Sequence, residues 1–274
     1  MVYRSLLTFC ALVAAPVAQA GSIAMPADAA QPVYTAPEPI SAGGPEVVLT
    51  LGAGLAVKPE YFGSSDYGAG PSFGVRLNYL NFGPLNFGSL NGDPASGIGL
   101  RGSFRYVGER VAGDYPELDG LDDVDATVEL GLGLGYRSRN FDAFADVRYG
   151  IGGHESLVGE LGADYKIQPA DRLTVSLGPR VLLGSDDYTS TYFGISAAEA
   201  AASDYTAYAA DGGVVSAGVE LGARYEINDV WGVQGAVTYD RFMGDAADSP
   251  IVEQGERDQY GLRIGLTRQI TLDF

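Results

Sequence analysis

Cysteine is almost missing from this chain of 274 residues: Cys10 is the only one, so no internal disulfide can staple the fold. Basic residues are scarce too, 17 against 35 acidic ones, and a net charge of -18 repels nucleic acid, which excludes DNA and RNA as partners. Long apolar runs are the third absence. Nothing reaches the roughly 18 to 20 consecutive apolar residues that a helix needs to cross a bilayer.

What the chain has in quantity is glycine (39) and tyrosine (17), with 46% hydrophobic residues. Mean hydropathy is nevertheless only +0.04, because apolar and polar residues alternate instead of clustering. The alternation is clearest at the end of the chain. Tyr260, Leu262, Ile264, Leu266, Arg268, Ile270, Leu272 and Phe274 occupy the even positions, and the odd ones are small or polar. A strand reads this way when one face meets apolar surroundings and the other meets water. Its length and final aromatic resemble the terminal strand of bacterial outer-membrane β-barrels, which cross the membrane without a helix.

The start of the chain agrees. Arg4, the apolar stretch Leu6 to Ala15 and Ala18-Gln19-Ala20 follow the order of a secretory signal peptide, with cleavage expected after Ala20. Cys10 leaves with that segment, and Phe9 before it is not the small residue of a lipoprotein site. Residues 21–45 carry Pro26, Pro32, Pro37, Pro39 and Pro45 among alanines. Such a composition cannot bury enough surface to order itself and predicts a mobile periplasmic tail.

From residue 46 to 274, period-2 runs predict strands near 46–57, 70–81, 97–107, 124–136, 141–152, 157–167, 172–183, 213–226, 230–242 and 258–274. The expected fold is therefore all-β: a transmembrane antiparallel barrel of about ten strands with both termini in the periplasm. Short turns at 138–140, 168–171 and 228–229 fall on the terminus side, and long loops at 58–69, 108–123, 184–212 and 243–257 on the outside. Tyr79, Tyr136, Tyr165, Tyr225, Trp231 and Phe274 then form one aromatic girdle, and Tyr106, Tyr149, Tyr239 and Tyr260 the other. The connection 82–96 is the irregular one; Pro84 to Gly88 reads as a further strand if 184–212 supplies a twelfth.

The opposite face is charged: Arg76, Arg101, Arg105, Arg148, Lys166, Arg180, Arg224 and Arg263 against Asp125, Glu129, Asp142, Asp146, Glu160, Asp164, Glu220 and Glu226. In a lumen a few side chains wide these should pair and fill the interior, with a water-filled pore as the alternative. Arg268 interrupts the lipid-facing pattern, and a bulge at Gly265 or a subunit contact are two ways to relieve it.

Few motifs suggest chemistry. His154, the only histidine, precedes Ser156 by two residues, a pair that resembles the His-x-Ser of outer-membrane lipid A deacylases, with Glu155 and Glu160 as the nearest carboxylates. Two residue types carry little specificity, and a polar turn hydrogen-bonding backbone is the expected reading. The acidic run Asp114 to Asp125 matches no calcium loop and reads as a solvated charge run. Gly131, Gly133 and Gly135 alternate with leucine, face inward and make room inside the barrel. No metal or cofactor site is expected. Segment 184–212 is the best functional candidate. Ala197 to Ser203 suits one or two helical turns, and Tyr188, Tyr192, Phe193, Gly194, Ile195 and Tyr208 are costly to leave in water, so part of it should fold against the barrel mouth as a plug.

The breaks between strands carry a family resemblance. Pro59-Glu60-Tyr61-Phe62-Gly63-Ser64-Ser65-Asp66-Tyr67, Leu118 to Asp125 running into Val128-Glu129-Leu130-Gly131, Thr191 to Ser196 with Glu199-Ala200 and Tyr208, and Gly244-Asp245-Ala246-Ala247-Asp248-Ser249-Pro250-Ile251-Val252 together resemble the MipA/OmpV family of outer-membrane proteins. The resemblance covers nearly all of the chain after residue 45. It implies an outer-membrane barrel surrounded by lipid and lipopolysaccharide, and no catalytic residue set. The family's named member is a scaffold joining a murein-cleaving transglycosylase to a murein synthase, while others are described as adhesins, antigens or stress-response proteins. A binding or scaffold role is the expectation, and a narrow or gated pore the alternative.

Overall fold

A computed structural model describes residues 46–82, 85–88 and 97–273. The expected signal peptide at 1–20, the tail at 21–45, residues 83–84 and 89–96 of the 82–96 connection, and Phe274 lie outside the described residues.

Eleven strands form one antiparallel sheet: β1 (Glu46–Pro59), β2 (Tyr67–Phe82), β3 (Leu85–Gly88), β4 (Gly97–Val107), β5 (Thr127–Arg137), β6 (Phe141–Ile151), β7 (Leu157–Ala170), β8 (Leu173–Gly184), β9 (Gly213–Glu226), β10 (Trp231–Phe242) and β11 (Asp258–Asp273). The hydrogen-bonded order is β3-β2-β1-β11-β10-β9-β8-β7-β6-β5-β4, so the first and last long strands are neighbours and the sheet curls until β2 and β3 approach β4. Among the described residues no ladder joins β4 to β2 or β3, which leaves a seam in the wall.

Ten of the strands are long, as the alternation requires, and β3 is an addition of 4 residues on β2. The twelfth strand does not form. Segment 184–212 instead folds into α1 (Asp186–Phe193) and α2 (Ala197–Ala202). Two further helices, α3 (Gly244–Ala247) and α4 (Pro250–Gln254), follow β10. One other correction concerns Asp125, which lies exposed in the loop before β5 and not in the lumen set.

Apolar side chains point outward. Leu262, Ile264 and Leu266 are 53%, 60% and 52% exposed, and the outer faces of β4 and β5 show Ile98, Leu100, Leu130, Leu132 and Leu134. Tyr136, Tyr165, Tyr225 and Trp231 ring the terminus end and Tyr106, Tyr149 and Tyr260 the loop end. Tyr239 stacks on Tyr260 with ring centroids 5.3 Å apart. The cross-strand pairs Tyr239–Tyr260 and Trp231–Arg268 mark the two girdles on one strand pair, about 26 Å apart along the strand and roughly 20 Å apart along the barrel axis once strand tilt is allowed for.

Arg268 is accommodated without a bulge, since both ladders of β11 run unbroken through Gly265. Its guanidinium lies 5.2 Å from the centre of the Trp231 ring. The cation thus sits at girdle level on an aromatic face, where it is far cheaper than at mid-membrane.

Inside, the opposite charges pair. Arg101 meets Asp146 at 3.2 Å, Lys166 meets Asp142 at 2.7 Å, Arg180 meets Asp164 at 2.9 Å and Arg263 meets Glu220 at 2.7 Å. The inward glycines make this possible: a Cβ on Gly133 would lie 2.0 Å from the Asp146 carboxylate, and one on Gly131 would lie 2.6 Å from the Cα of Arg148.

Candidate functional site

The four long connections all lie at the end of the barrel opposite the termini, and they pack on one another. The first is a tight loop in which Asp66 N–H donates to Ser64 Oγ at 3.0 Å and Ser64 N–H to the Tyr61 carbonyl at 3.1 Å. Its Gly63 takes a φ of +92°, which glycine adopts without strain, and its carbonyl accepts from Glu256 N–H at 2.7 Å. A side chain there would press on Val252. The second connection is pinned by a bridge between Arg110 and Val124 and buries Leu118 completely.

The third connection, the segment expected to form a plug, buries its aromatics at the loop end of the barrel. Tyr188 and Phe193 on α1 have no solvent exposure, and Tyr192 has 3%. They form a cluster with Phe62, Val107, Val124, Val158, Val215 and Phe242, so the plug's aromatic face is held by the first loop and by strand ends across the barrel. Phe62 packs edge-on to Tyr192 at 4.9 Å. Gly194 ends α1, its N–H donating to the Ser190 carbonyl at 3.0 Å, and a Cβ there would meet that same carbonyl at 2.5 Å. Ile195 then pairs with Tyr208 as an isolated bridge. A capping box opens α2: Ser196 Oγ accepts from Glu199 N–H, and Glu199 Oε2 accepts from Ser196 N–H at 2.7 Å. The other Glu199 oxygen accepts from Asp122 N–H at 3.0 Å. These backbone donors outweigh the effect of partial burial and hold the carboxyl below its ordinary range.

The fourth connection locks the plug in place. Ser249, fully buried, donates from Oγ to the Phe193 carbonyl at 2.7 Å. Asp245 accepts from Asp211 N–H at 2.9 Å, and its own carbonyl accepts from Tyr208 Oη at 2.9 Å. Asp248 meets Arg257 at 3.3 Å, and Pro250 starts α4, where its missing N–H costs nothing. The blocks Pro59 to Asp66, Tyr188 to Tyr208 and Asp245 to Pro250, far apart in sequence, thus converge on one cap. Tyr61 joins it through a second apolar cluster with Leu118, Leu121, Ile195 and Ile251, its hydroxyl donating to Glu117 at 3.0 Å. Burial pushes the Tyr61 hydroxyl up, with Glu117 adding to the shift.

Beneath the plug lies a polar knot. Glu129, with no exposure, accepts from Arg105 Nε at 2.8 Å and from Arg148 Nε at 2.8 Å, and Arg148 reaches Glu160 at 2.8 Å. Arg105 also donates to Tyr188 Oη at 3.1 Å, and burial raises that tyrosine to about 12 despite the guanidinium. His154 belongs to this knot. Its Nδ1 accepts from Ser156 N–H at 3.2 Å and faces Ser156 Oγ at 2.7 Å, so the proton sits on Nε2 and points to Glu129 Oε1 at 3.3 Å. The carboxylate beside the histidine is therefore Glu129, not Glu155 or Glu160. Glu155 is an exposed turn residue at φ 39°, and Glu160 is held by Arg148.

The order serine, histidine, carboxylate has the atoms of a nucleophilic triad. Yet His154 and Ser156 are each 4% exposed and Glu129 is clamped by two guanidiniums, so the three side chains are held in a buried network against Tyr188 of α1. The sequence placed Glu129 in the lumen set but not beside His154, because only strand register brings it to the turn: it pairs with Gly150, the residue over which the imidazole lies.

An apolar belt between aromatic girdles, an ion-paired lumen and an antiparallel sheet that curls from β3 round to β4 define an outer-membrane β-barrel. A family model described as MltA-interacting protein MipA matches residues 51–270, and the chain belongs to that family. It is a bacterial outer-membrane protein. No curated protein is similar to it in sequence. Among solved structures, an outer-membrane channel from Pseudomonas putida F1 aligns at TM-score 0.43 and 12% identity over 83% of this chain and 96% of that one. The NanC porin aligns at TM-score 0.37 and 8% identity over 81% and 100%. At these levels the strand ladder itself, and not the likeness, carries the fold.

Proposed function

We propose that this barrel is a non-catalytic docking protein of the outer membrane, with its termini and short turns in the periplasm, its capped end outside and lipid and lipopolysaccharide around it. The periplasmic side then recruits murein enzymes, a transglycosylase of the kind in the family's name and a murein synthase. The observation that carries the non-conducting, non-catalytic part is the cap: Tyr188, Tyr192 and Phe193 are buried across the barrel mouth and tied to all four loops. A protein built to pass solutes gains nothing from sealing its outer mouth with fully buried aromatics.

One observation favours a gated pore as the second reading. A cavity of about 350 Å³ lies beneath the plug, lined by Arg105, Glu160, Arg180, Glu220, Asp240 and Arg263. Periplasmic crosslinking with mass spectrometry tests docking: recovery of a murein transglycosylase supports it, and recovery of no murein enzyme removes it. Planar-bilayer recording tests the pore. Steady, large single-channel currents from the wild type would replace docking by transport as the primary role.

A further inference from the structure

The lumen is not uniform in charge. In its loop-end half, Arg105, Arg148, Arg180 and Arg263 each hold a carboxylate at 2.9 Å or closer. Toward the termini the balance fails. Arg76 on β2, Arg101 on β4, Arg137 on β5 and Arg224 on β9 all lie on the inward face of that half. β9 lies across the sheet order from β2 and β4, so these guanidiniums project into the lumen from opposite walls.

Among the described residues acidic partners are too few for them. The Asp142 carboxylate is taken by Lys166 at 2.7 Å and lies 4.0 Å from Arg137. Arg101 has Asp146, and Arg224 reaches Glu226 only at 3.9 Å. The Nε of Arg224 is buried with no hydrogen-bond partner, and Arg76 forms no ion pair among the described residues. Concentrated positive charge in a chain of net charge -18 opposes folding unless something neutralises it.

We propose that the terminus-end half of the lumen is a binding site for a small soluble oxyanion bearing phosphate or carboxylate groups. Planar guanidiniums donating in pairs match such oxygens, and like charges on facing walls are bridged by one multivalent anion. Arg76 and Arg224 are the primary ligands, because they have the weakest internal partners, and Arg101 and Arg137 flank them. This site is separate from the cap and does not depend on the docking role.

The test uses the full chain in detergent, with inorganic phosphate or citrate replacing chloride at constant ionic strength. Thermal unfolding should move up with either anion in the wild type, and calorimetry should give a Kd weaker by about 10-fold or more for Arg76→Gln. Arg224→Gln should lose the response as well and serves if the first variant folds poorly. Lys58→Gln, at the other end of β1, should keep it. Removing a repelled charge has a second signature: Arg76→Gln should unfold no lower than wild type when no oxyanion is present. A wild type indifferent to phosphate and citrate, a response unchanged in both arginine variants, or a lowered anion-free Tm in Arg76→Gln would each overturn the site. Binding of short-chain phosphatidic acid without any response to phosphate or citrate would overturn it in favour of a lipid headgroup at the neighbouring seam.

Discussion

At the loop end of the barrel Leu118, Tyr188 and Phe193 have lost all contact with solvent, whereas at the terminus end Arg76 is still exposed in the lumen. The same wall serves both ends. One end spends four long connections on two apolar clusters, and the other, with short turns between β5 and β6, β7 and β8, and β9 and β10, leaves arginines under-paired among the described residues. Burial of aromatics makes a rigid, committed closure, because each buried ring is held by several partners at once. Under-paired charge does the opposite, leaving its satisfaction to something that arrives.

Phe193→Ala should break this contrast most strongly. Deleting a fully buried aromatic costs about 3–5 kcal/mol, and here the loss falls on the cap. Limited proteolysis should cut within 184–212 far faster than in wild type while the strands stay protected, and bilayer conductance should appear if the plug is what closes the lumen. Next is Ser249→Ala, which leaves the Phe193 carbonyl without its buried donor at a cost of about 1–3 kcal/mol. Amide hydrogen exchange across α1 and α4 should quicken, with β5 to β8 unchanged.

At the terminus end single side chains should matter less. Arg268→Ala removes a cation on the Trp231 face worth about 0.5–1 kcal/mol at such a site. It also removes a charge from the lipid-facing set, so chemical unfolding in lipid vesicles should shift by less than either cap variant does. The smallest effect belongs to Glu199. Its folded carboxyl titrates below the ordinary value, so the stability it contributes is present above that value and is lost as pH falls through the lower, folded one. Exchange at the Asp122 and Ser196 amides should quicken over that acidic window, and Glu199→Gln should abolish the pH dependence.

Much of the wall was legible in the sequence because a strand's pattern repeats every second residue and needs no distant partner to be read. Ten long strands stand close to their expected places, and the plug residues Tyr188, Tyr192, Phe193 and Ile195 were singled out by the cost of leaving them in water. Other features were hidden. Segment 186–193 carries no strong helical stripe, and its helix exists because the cap buries it. Pro84 to Gly88 looked like half of a further strand pair, but 184–212 folds into helices, and Leu85–Gly88 pairs with β2 as the short β3.

By itself, then, the sequence determined an all-β chain with one lipid-facing and one charged side to each strand, since alternation and composition are local and survive any arrangement of the strands. Tertiary structure alone decided which charges met. It joined His154 to Glu129 and not to the carboxylates nearest in sequence, seated Arg268 on Trp231, brought four separate loops into one cap and left Arg76 without an ion pair among the described residues. Each of these pairings depends on strand register and curl, which set side chains against neighbours dozens of residues away, and on a lumen narrow enough that opposite walls touch.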